Sequence, residues 1–204
     1  MTRISRRSAL ALLSAGPVAA AMVWSPAEAR EAHEQAERAR AATPSRPFKP
    51  RFFTAREYAT VAVLVDLIIP RDARSGSATD AGVPEFMDFM MTDQPRRQVA
   101  MRGGLALVDQ LSNARFGKRF LAATDGERRQ LLDEISYTTN TDPGLTHAIA
   151  FFTSFRDLTA SGFWSSRAGL ADLQYQGNVF VSEWNGCPDE ALQKIGLNKS
   201  KIED

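Results

Sequence analysis

The chain has 204 residues, of which 44% are hydrophobic and 24% are charged, and its formal net charge is +1. This composition is that of an ordinary globular protein with one domain and a proper hydrophobic core. A nearly neutral chain lacks the basic surface that binds nucleic acids or anionic lipids, so we expect no nucleic-acid partner.

The first 29 residues have the pattern of an export signal. Arg6 and Arg7 precede a weakly apolar run, and Ala27 and Ala29 are small residues at the two positions that determine cleavage. A pair of arginines before such a run is typical of the twin-arginine (Tat) pathway, so we expect the Tat translocase as a partner. A general secretory signal remains the alternative, because the residues after the arginine pair depart from the usual motif.

Residues 30–51 are charged and rich in alanine, and are then interrupted by Pro44, Pro47 and Pro50. Proline at this density prevents a continuous helix. We therefore expect a short solvated helix or a flexible tether between the export signal and the folded domain.

Residues 52–204 are predicted to form an all-α domain, a compact helical bundle. Thr54 with Glu57 and Thr124 with Glu127 match the capping box, in which two side chains bind each other's exposed amides at a helix start. Apolar residues then recur at helical spacing. Further helices are expected to begin near Pro84, Pro95, Asp142-Pro143 and Asp189, the last of them running to Ile195.

The helix that follows Pro95 contains the pair Gly103-Gly104. Each glycine weakens a helix by about 1 kcal/mol relative to alanine, so the pair predicts a kink or a close helix crossing. We expect its apolar face to carry Val99, Leu105, Val108 and Leu111.

The stretch from Ser161 to Pro188 concentrates aromatic residues and glycines. Aromatic rings give wide apolar contact, and glycines allow left-handed backbone or close approach. We therefore expect a long aromatic and glycine-rich irregular loop near the C-terminus, which either closes the end of the bundle or docks a partner. Residues 178–184 are the one segment in which a short strand is conceivable.

Two blocks of this sequence resemble the gluconate 2-dehydrogenase subunit 3 family. The first runs from Phe53-Thr54-Ala55 through Ile68-Ile69-Pro70-Arg71-Asp72 to Ala81-Gly82-Val83-Pro84-Glu85-Phe86. The second comprises Gly162-Phe163, Ser165-Ser166, Gly169, Asp172-Leu173, Tyr175, Gly177-Asn178 and Trp184-Asn185-Gly186-Cys187-Pro188.

The resemblance implies a non-catalytic small subunit that accompanies a large FAD-dependent dehydrogenase of the glucose-methanol-choline type, often with a cytochrome c subunit. Such a subunit assists the folding, stability and Tat export of its partner, which holds the FAD. The complex is then expected in the periplasm, peripheral to the inner membrane. The residues that we expect to contact the partner are Phe163, Trp164, Tyr175, Asn178, Trp184 and Cys187.

The side chains available for chemistry are few. His33 and His147 are the two histidines, and a single cysteine cannot supply the motif for haem c or for an iron-sulfur cluster. No dinucleotide, hydrolase or Walker motif is found, so we expect no catalytic, cofactor or metal site in this chain. Cys187 is either a buried inert thiol or one half of a disulfide with the partner.

Two other functions remain open. A stand-alone exported enzyme would use carboxylates of the polar loop, Asp72, Asp80 and Glu85, together with the aromatic stretch, and would be active alone. A periplasmic ligand-binding module would use the aromatic stretch as a platform for a sugar, and its tryptophan fluorescence would respond to the ligand.

Arg167 and Asp172 are candidates for ion pairs at an interface.

Overall fold

A computed structural model describes residues 30–32, 34–35, 38, 48–137, 142–175, 182–183, 186–187, 189–194 and 196. Every regular element in these residues is a helix, so the predicted all-α fold is confirmed. The predicted export signal, with Arg6, Arg7, Ala27 and Ala29, lies outside the described residues. None of the helices described combines the length and the hydropathy that crossing a membrane would require.

Contacts divide the chain into two compact units, one up to Gln174 and one from Tyr175. The described α-helices of the first unit are α1 (Ala55–Ile68), α2 (Val83–Asp93), α3 (Gln98–Phe116), α4 (Asp125–Ser136), α5 (Thr146–Trp164) and α6 (Arg167–Asp172). Short 3-10 turns at Pro95–Arg97 and Phe120–Ala122 precede α3 and α4. The second unit contains α7 (Asp189–Lys194).

Both predicted capping boxes are present. The backbone N–H of Thr54 donates to Glu57 at 2.8 Å, and that of Thr124 donates to Glu127 at 2.7 Å, while each threonine hydroxyl accepts in return from the glutamate N–H. These reciprocal bonds fix the first turns of α1 and α4. By contrast, α5 begins at Thr146, later than Pro143, because residues 142–145 form a turn in which Asp142 accepts the Gly144 N–H at 2.8 Å.

Helix α5 is the central element of the first unit and contacts α1, α2, α3, α4 and α6. Burial of a large apolar side chain contributes roughly 1.5–3 kcal/mol, so this helix supplies much of the stability of the bundle. Its buried residues are Ala148, Ile149, Phe151, Phe152, Phe155, Leu158, Thr159, Gly162 and Phe163.

The glycine pair lies within α3, which continues through it from Gln98 to Phe116. Gly104 is buried against Phe151 of α5, so the close helix crossing predicted for this pair is confirmed at Gly104. The expectation for Val99 was wrong, because this side chain is among the exposed large apolar residues. The buried face of α3 consists of Met101, Gly104, Leu105, Val108 and Ser112, a phase in which Val99 faces outward.

The segment before the bundle is partly packed. Helical residues occur at 30–32, 34–35 and 38, and Ala32 is buried as a member of the hydrophobic core, whereas Glu34 and Arg38 are exposed and paired with each other at 3.0 Å. The segment expected to be solvated therefore has a buried contact at Ala32.

Candidate partner interface

The end of α5 presents a tryptophan at the surface. Phe163 is 1% exposed and belongs to the core, whereas the adjacent Trp164 is 37% exposed. Their rings meet edge to face, with centroids 4.9 Å apart and planes at 85°. Phe163 was expected to contact a partner; it lies instead in the core of its own chain, because helical phase turns it inward, and it supports the ring of Trp164.

The turn between α5 and α6 is built by Ser166. Its hydroxyl donates to the Phe163 carbonyl at 2.7 Å and accepts the Gly169 N–H at 3.0 Å, and the side chain is buried. Ser166 thus caps α6 and ties it to the last turn of α5. Because the Ser166 hydroxyl bonds to both helices, it fixes the backbone that follows Trp164.

Gly169 allows the two helices to meet backbone to backbone. A Cβ atom at this position would overlap the Phe163 carbonyl and would lie 2.9 Å from Cα of Trp164. Backbone atoms cannot move aside as a flexible side chain can, so glycine is required by close approach. The first part of the predicted irregular loop is therefore helical: residues 161–164 complete α5, and residues 167–172 form α6.

Leu173, directly after α6, is a second exposed apolar residue near this turn. It is 54% exposed, and its N–H donates to the Gly169 carbonyl at 2.9 Å, one turn from the contact with Trp164. The sequence analysis named Leu173 in the second block of the resemblance but did not expect it at the interface. The signal that could have identified Leu173 is its position, since it is an apolar residue directly after α6, whose Gly169 is buried.

The polar loop after α1 reaches this same surface. The Arg74 guanidinium donates to the Asp172 backbone carbonyl at 2.6 Å, and its Nε lies 3.1 Å from the Asp172 carboxylate. Asp172, expected to make an ion pair across an interface, thus has an ion-pair partner within the chain. This bond fixes the end of α6 relative to the loop.

The loop carboxylates each serve the fold of the loop. The backbone N–H groups of Ser75 and Arg74 bind Asp72, each at 2.8 Å, and lower its pKa. The N–H of Ser77 at 2.7 Å lowers the pKa of Asp80, which also pairs with Arg71 at 2.6 Å. Both groups are therefore anionic at neutral pH, which does not suit a general acid.

Glu85 is buried in the first turn of α2, away from solvent. His147 is exposed near the start of α5. Within the residues that the structure describes, no three or more His, Cys, Asp or Glu side chains are grouped as metal ligands.

A surface cleft of about 200 Å³ lies between α1 and α3. Its charged lining is paired, since Arg56 binds Asp109 and Arg102 lies 3.9 Å from Glu57. Pockets for organic ligands are larger, about 300–1,000 Å³, and mostly apolar. This cleft therefore does not fit FAD.

The remaining predicted interface residues belong to the second unit. Tyr175 is half exposed, and Cys187 is an exposed free thiol, so the interpretation of Cys187 as a buried inert thiol is wrong. Gly186, next to Cys187, has a left-handed backbone with φ 83°. Asn178 and Trp184 lie outside the described residues, and so does most of the segment 178–184.

The sequence model of the gluconate 2-dehydrogenase subunit 3 family matches residues 55–182 of the chain. The match begins at the first residue of α1 and extends beyond α6. No curated protein and no solved structure shows significant similarity to the chain.

Proposed function

Because the chain belongs to the gluconate 2-dehydrogenase subunit 3 family, we propose that it is the non-catalytic small subunit of a periplasmic, membrane-associated FAD-dependent sugar or alcohol dehydrogenase. The observation that carries this proposal is a family match over residues 55–182, which include α1 to α6. In this proposal the FAD and the oxidation of substrate belong to a large partner of the glucose-methanol-choline type, and a cytochrome c subunit is a further partner.

We propose that the subunit also takes part in export. The arginine pair and the apolar run in residues 1–29 are typical of a signal for folded cargo. The small subunit would bind the large one in the cytoplasm, shield its apolar surface and supply the signal for both. Its own chemistry is then limited to binding, to which an exposed aromatic residue on a rigid turn is suited.

Trp164 and Leu173 are the residues of the first unit that we assign to the interface. Both are exposed apolar side chains that flank α6, and the Ser166 hydroxyl ties the start of α6 to the last turn of α5. A rigid surface loses little conformational entropy on binding, and tryptophan is among the residues that dominate binding energy in interfaces. Tyr175, Asn178, Trp184 and Cys187 remain proposed contacts of the second unit.

No specific observation favours the stand-alone enzyme. Asp72 and Asp80 are each occupied by backbone amides of their own loop, and each is held anionic. The cleft of about 200 Å³ between α1 and α3 gives no support to the ligand-binding module, because its charged lining is paired.

The test is isolation of the full-length chain from its native host through a C-terminal tag, with recording of the flavin spectrum. We expect a large protein with FAD absorbance to copurify from the periplasmic or membrane fraction. The matched control replaces Arg6 and Arg7 by lysine, which should retain both proteins in the cytoplasm if the signal is shared. A colourless chain that is stable and active without a partner would contradict the proposal.

A further inference from the structure

The non-helical segment Phe48–Phe53, called the strap here, precedes α1 and is bound to a buried carboxylate. Asp88 of α2 accepts the N–H of Arg51 on Oδ2 at 2.8 Å, and those of Phe52 and Phe53 on Oδ1 at 3.0 Å each. The Asp88 side chain is 2% exposed. Three consecutive amides thus converge on one carboxylate.

The burial of Asp88 depends on these donors. The residues around it on α2, Phe86, Met87, Met90 and Met91, are fully buried and apolar. A buried carboxyl group in such surroundings is tolerated when hydrogen bonds replace its hydration, and bonds from N–H groups to a carboxylate are among the stronger ones. The strap therefore supplies the hydrogen-bond donors that the buried side chain of Asp88 requires.

Arg102 of α3 binds the strap as well. Its guanidinium donates to the Phe52 carbonyl at 2.8 Å and lies 4.6 Å from the centre of the Phe52 ring. The same side chain lies 3.9 Å from Glu57 of α1, which restricts its position. The strap thus binds two helices. Its partner on α2, Asp88, lies 35–37 residues further along the chain, and its partner on α3, Arg102, lies 50 residues further along.

We propose that the strap detaches from the bundle as a unit while the helices remain folded, and that Asp88 and Arg102 set how often it does so. The strap can dock only when α2 and α3 are in place, because its partners Asp88 and Arg102 lie on those helices. The docked strap therefore links the residues before α1 to the assembled bundle. Detachment would expose the buried rings of Phe52 and Phe53, which pack together with centroids 4.8 Å apart. This inference does not rest on the proposed function.

The peptide bond between Arg51 and Phe52 makes the proposal measurable. Trypsin cleaves after arginine, and here the N–H groups of both residues bind Asp88 while the Phe52 carbonyl binds Arg102. A protease needs this backbone free and extended. Cleavage at this bond therefore follows the population of the detached strap.

The experiment treats the full-length chain with trypsin and follows the fragment that begins at Phe52 by mass spectrometry. In Asp88→Asn the side chain keeps its shape, but an NH₂ group replaces one acceptor oxygen and the charge is lost. We expect cleavage at Arg51–Phe52 to become roughly tenfold faster or more, with helix content unchanged by circular dichroism. The control Asp80→Asn removes a carboxylate that serves another loop and should leave this cleavage rate unchanged.

Equal cleavage rates at Arg51–Phe52 in the wild type and in folded Asp88→Asn would overturn the proposal. If Asp88→Asn loses its helix content, Arg102→Met decides, because Arg102 is exposed and its loss spares the core. Faster cleavage confined to Arg51–Phe52 in folded Arg102→Met supports the proposal. Unchanged cleavage in that variant, or cleavage only together with global unfolding, overturns it.

Discussion

Gly104 on α3 lies directly against the ring of Phe151 on α5, and a Cβ atom at residue 104 would overlap that ring. Its neighbour Gly103 has open space where a Cβ atom would lie. Gly104 is therefore required by the helix crossing, whereas Gly103 only weakens the helix that contains it.

These two environments predict opposite effects of the same substitution. Gly104→Ala should lower the free energy of unfolding by about 1–3 kcal/mol, because the added methyl forces the two helices apart. Gly103→Ala should raise it by up to about 1 kcal/mol through higher helix propensity. Urea unfolding of both variants measures the two effects, and stabilisation by Gly104→Ala would show that the crossing is looser than described.

Trp164→Ala should weaken the complex without unfolding the subunit. Truncation of a tryptophan at the centre of an interface commonly costs about 2 kcal/mol or more, which corresponds to a loss of affinity of about thirtyfold. The amount of large subunit that copurifies measures this loss. The matched control is Tyr137→Ala, since Tyr137 is a 66% exposed aromatic residue that follows α4.

The free Trp164→Ala subunit should keep the melting temperature of the wild type within a few degrees, because the side chain is partly exposed. A free subunit that fails to fold would instead assign Trp164 to the core. Equal losses of copurification in Trp164→Ala and Tyr137→Ala would remove the specific role of this surface.

Glu127 predicts a pH dependence of stability. The backbone N–H of Thr124 and then the Lys118 ammonium hold the pKa of Glu127 below its ordinary value in the folded state. A lowered folded-state pKa means that the carboxylate stabilises the fold above the unfolded-state pKa, about 4.3, and that this contribution is lost as the pH falls through the folded-state value.

Wild type should therefore be more stable than Glu127→Gln at pH 7, and the difference should shrink at pH values below about 4. Thermal unfolding at a series of pH values measures the difference. The control Asp133→Asn changes an exposed carboxylate on the same helix and should show no comparable trend. A difference between wild type and Glu127→Gln that stays constant down to pH 3 would contradict the predicted role of the charge.

Cys187 is predicted to pair with a cysteine of the large subunit. Its thiol is exposed in the chain, so it should react readily with a maleimide in the free subunit. In the oxidising periplasm, the compartment proposed for the complex, a disulfide would persist, so we expect a band of the summed mass on a non-reducing gel and its absence in Cys187→Ser. A thiol that still reacts in the denatured complex would exclude the bridge.

Local signals in the sequence predicted local structure well. The capping boxes at Thr54 and Thr124 could be predicted because both partners lie within three residues of each other. The close crossing at Gly104 was predicted as one of two outcomes, since a glycine pair in a helix indicates approach or bending without naming the partner. Phe151 as that partner became known only from the fold.

The stretch after Ser161 shows where sequence reasoning failed. Gly162 and Gly169 were interpreted as loop residues, yet both lie in helices, where they face Phe86 and the Phe163 carbonyl respectively. A glycine in a loop and a glycine at a close contact give the same pattern in sequence. Helical phase was the better guide, because extension of the α5 pattern by four residues from Thr159 places Phe163 inside the core.

The hydrogen bonds of Asp88 could not have been predicted. An aspartate in an apolar helix gives no indication of its acceptor role, and its donors lie 35–37 residues earlier in the chain. Bonds over such separations depend on the relative placement of helices, which a single sequence does not reveal.

The position of α5 in the chain bears on how the protein is made. The helix on which α1, α2, α3 and α4 all pack comes after them in sequence, at residues 146–164. During synthesis these four helices therefore leave the ribosome before the helix that completes their common core. The core of the first unit therefore cannot be completed until residue 164 has emerged, so its folding ends late in translation or after it.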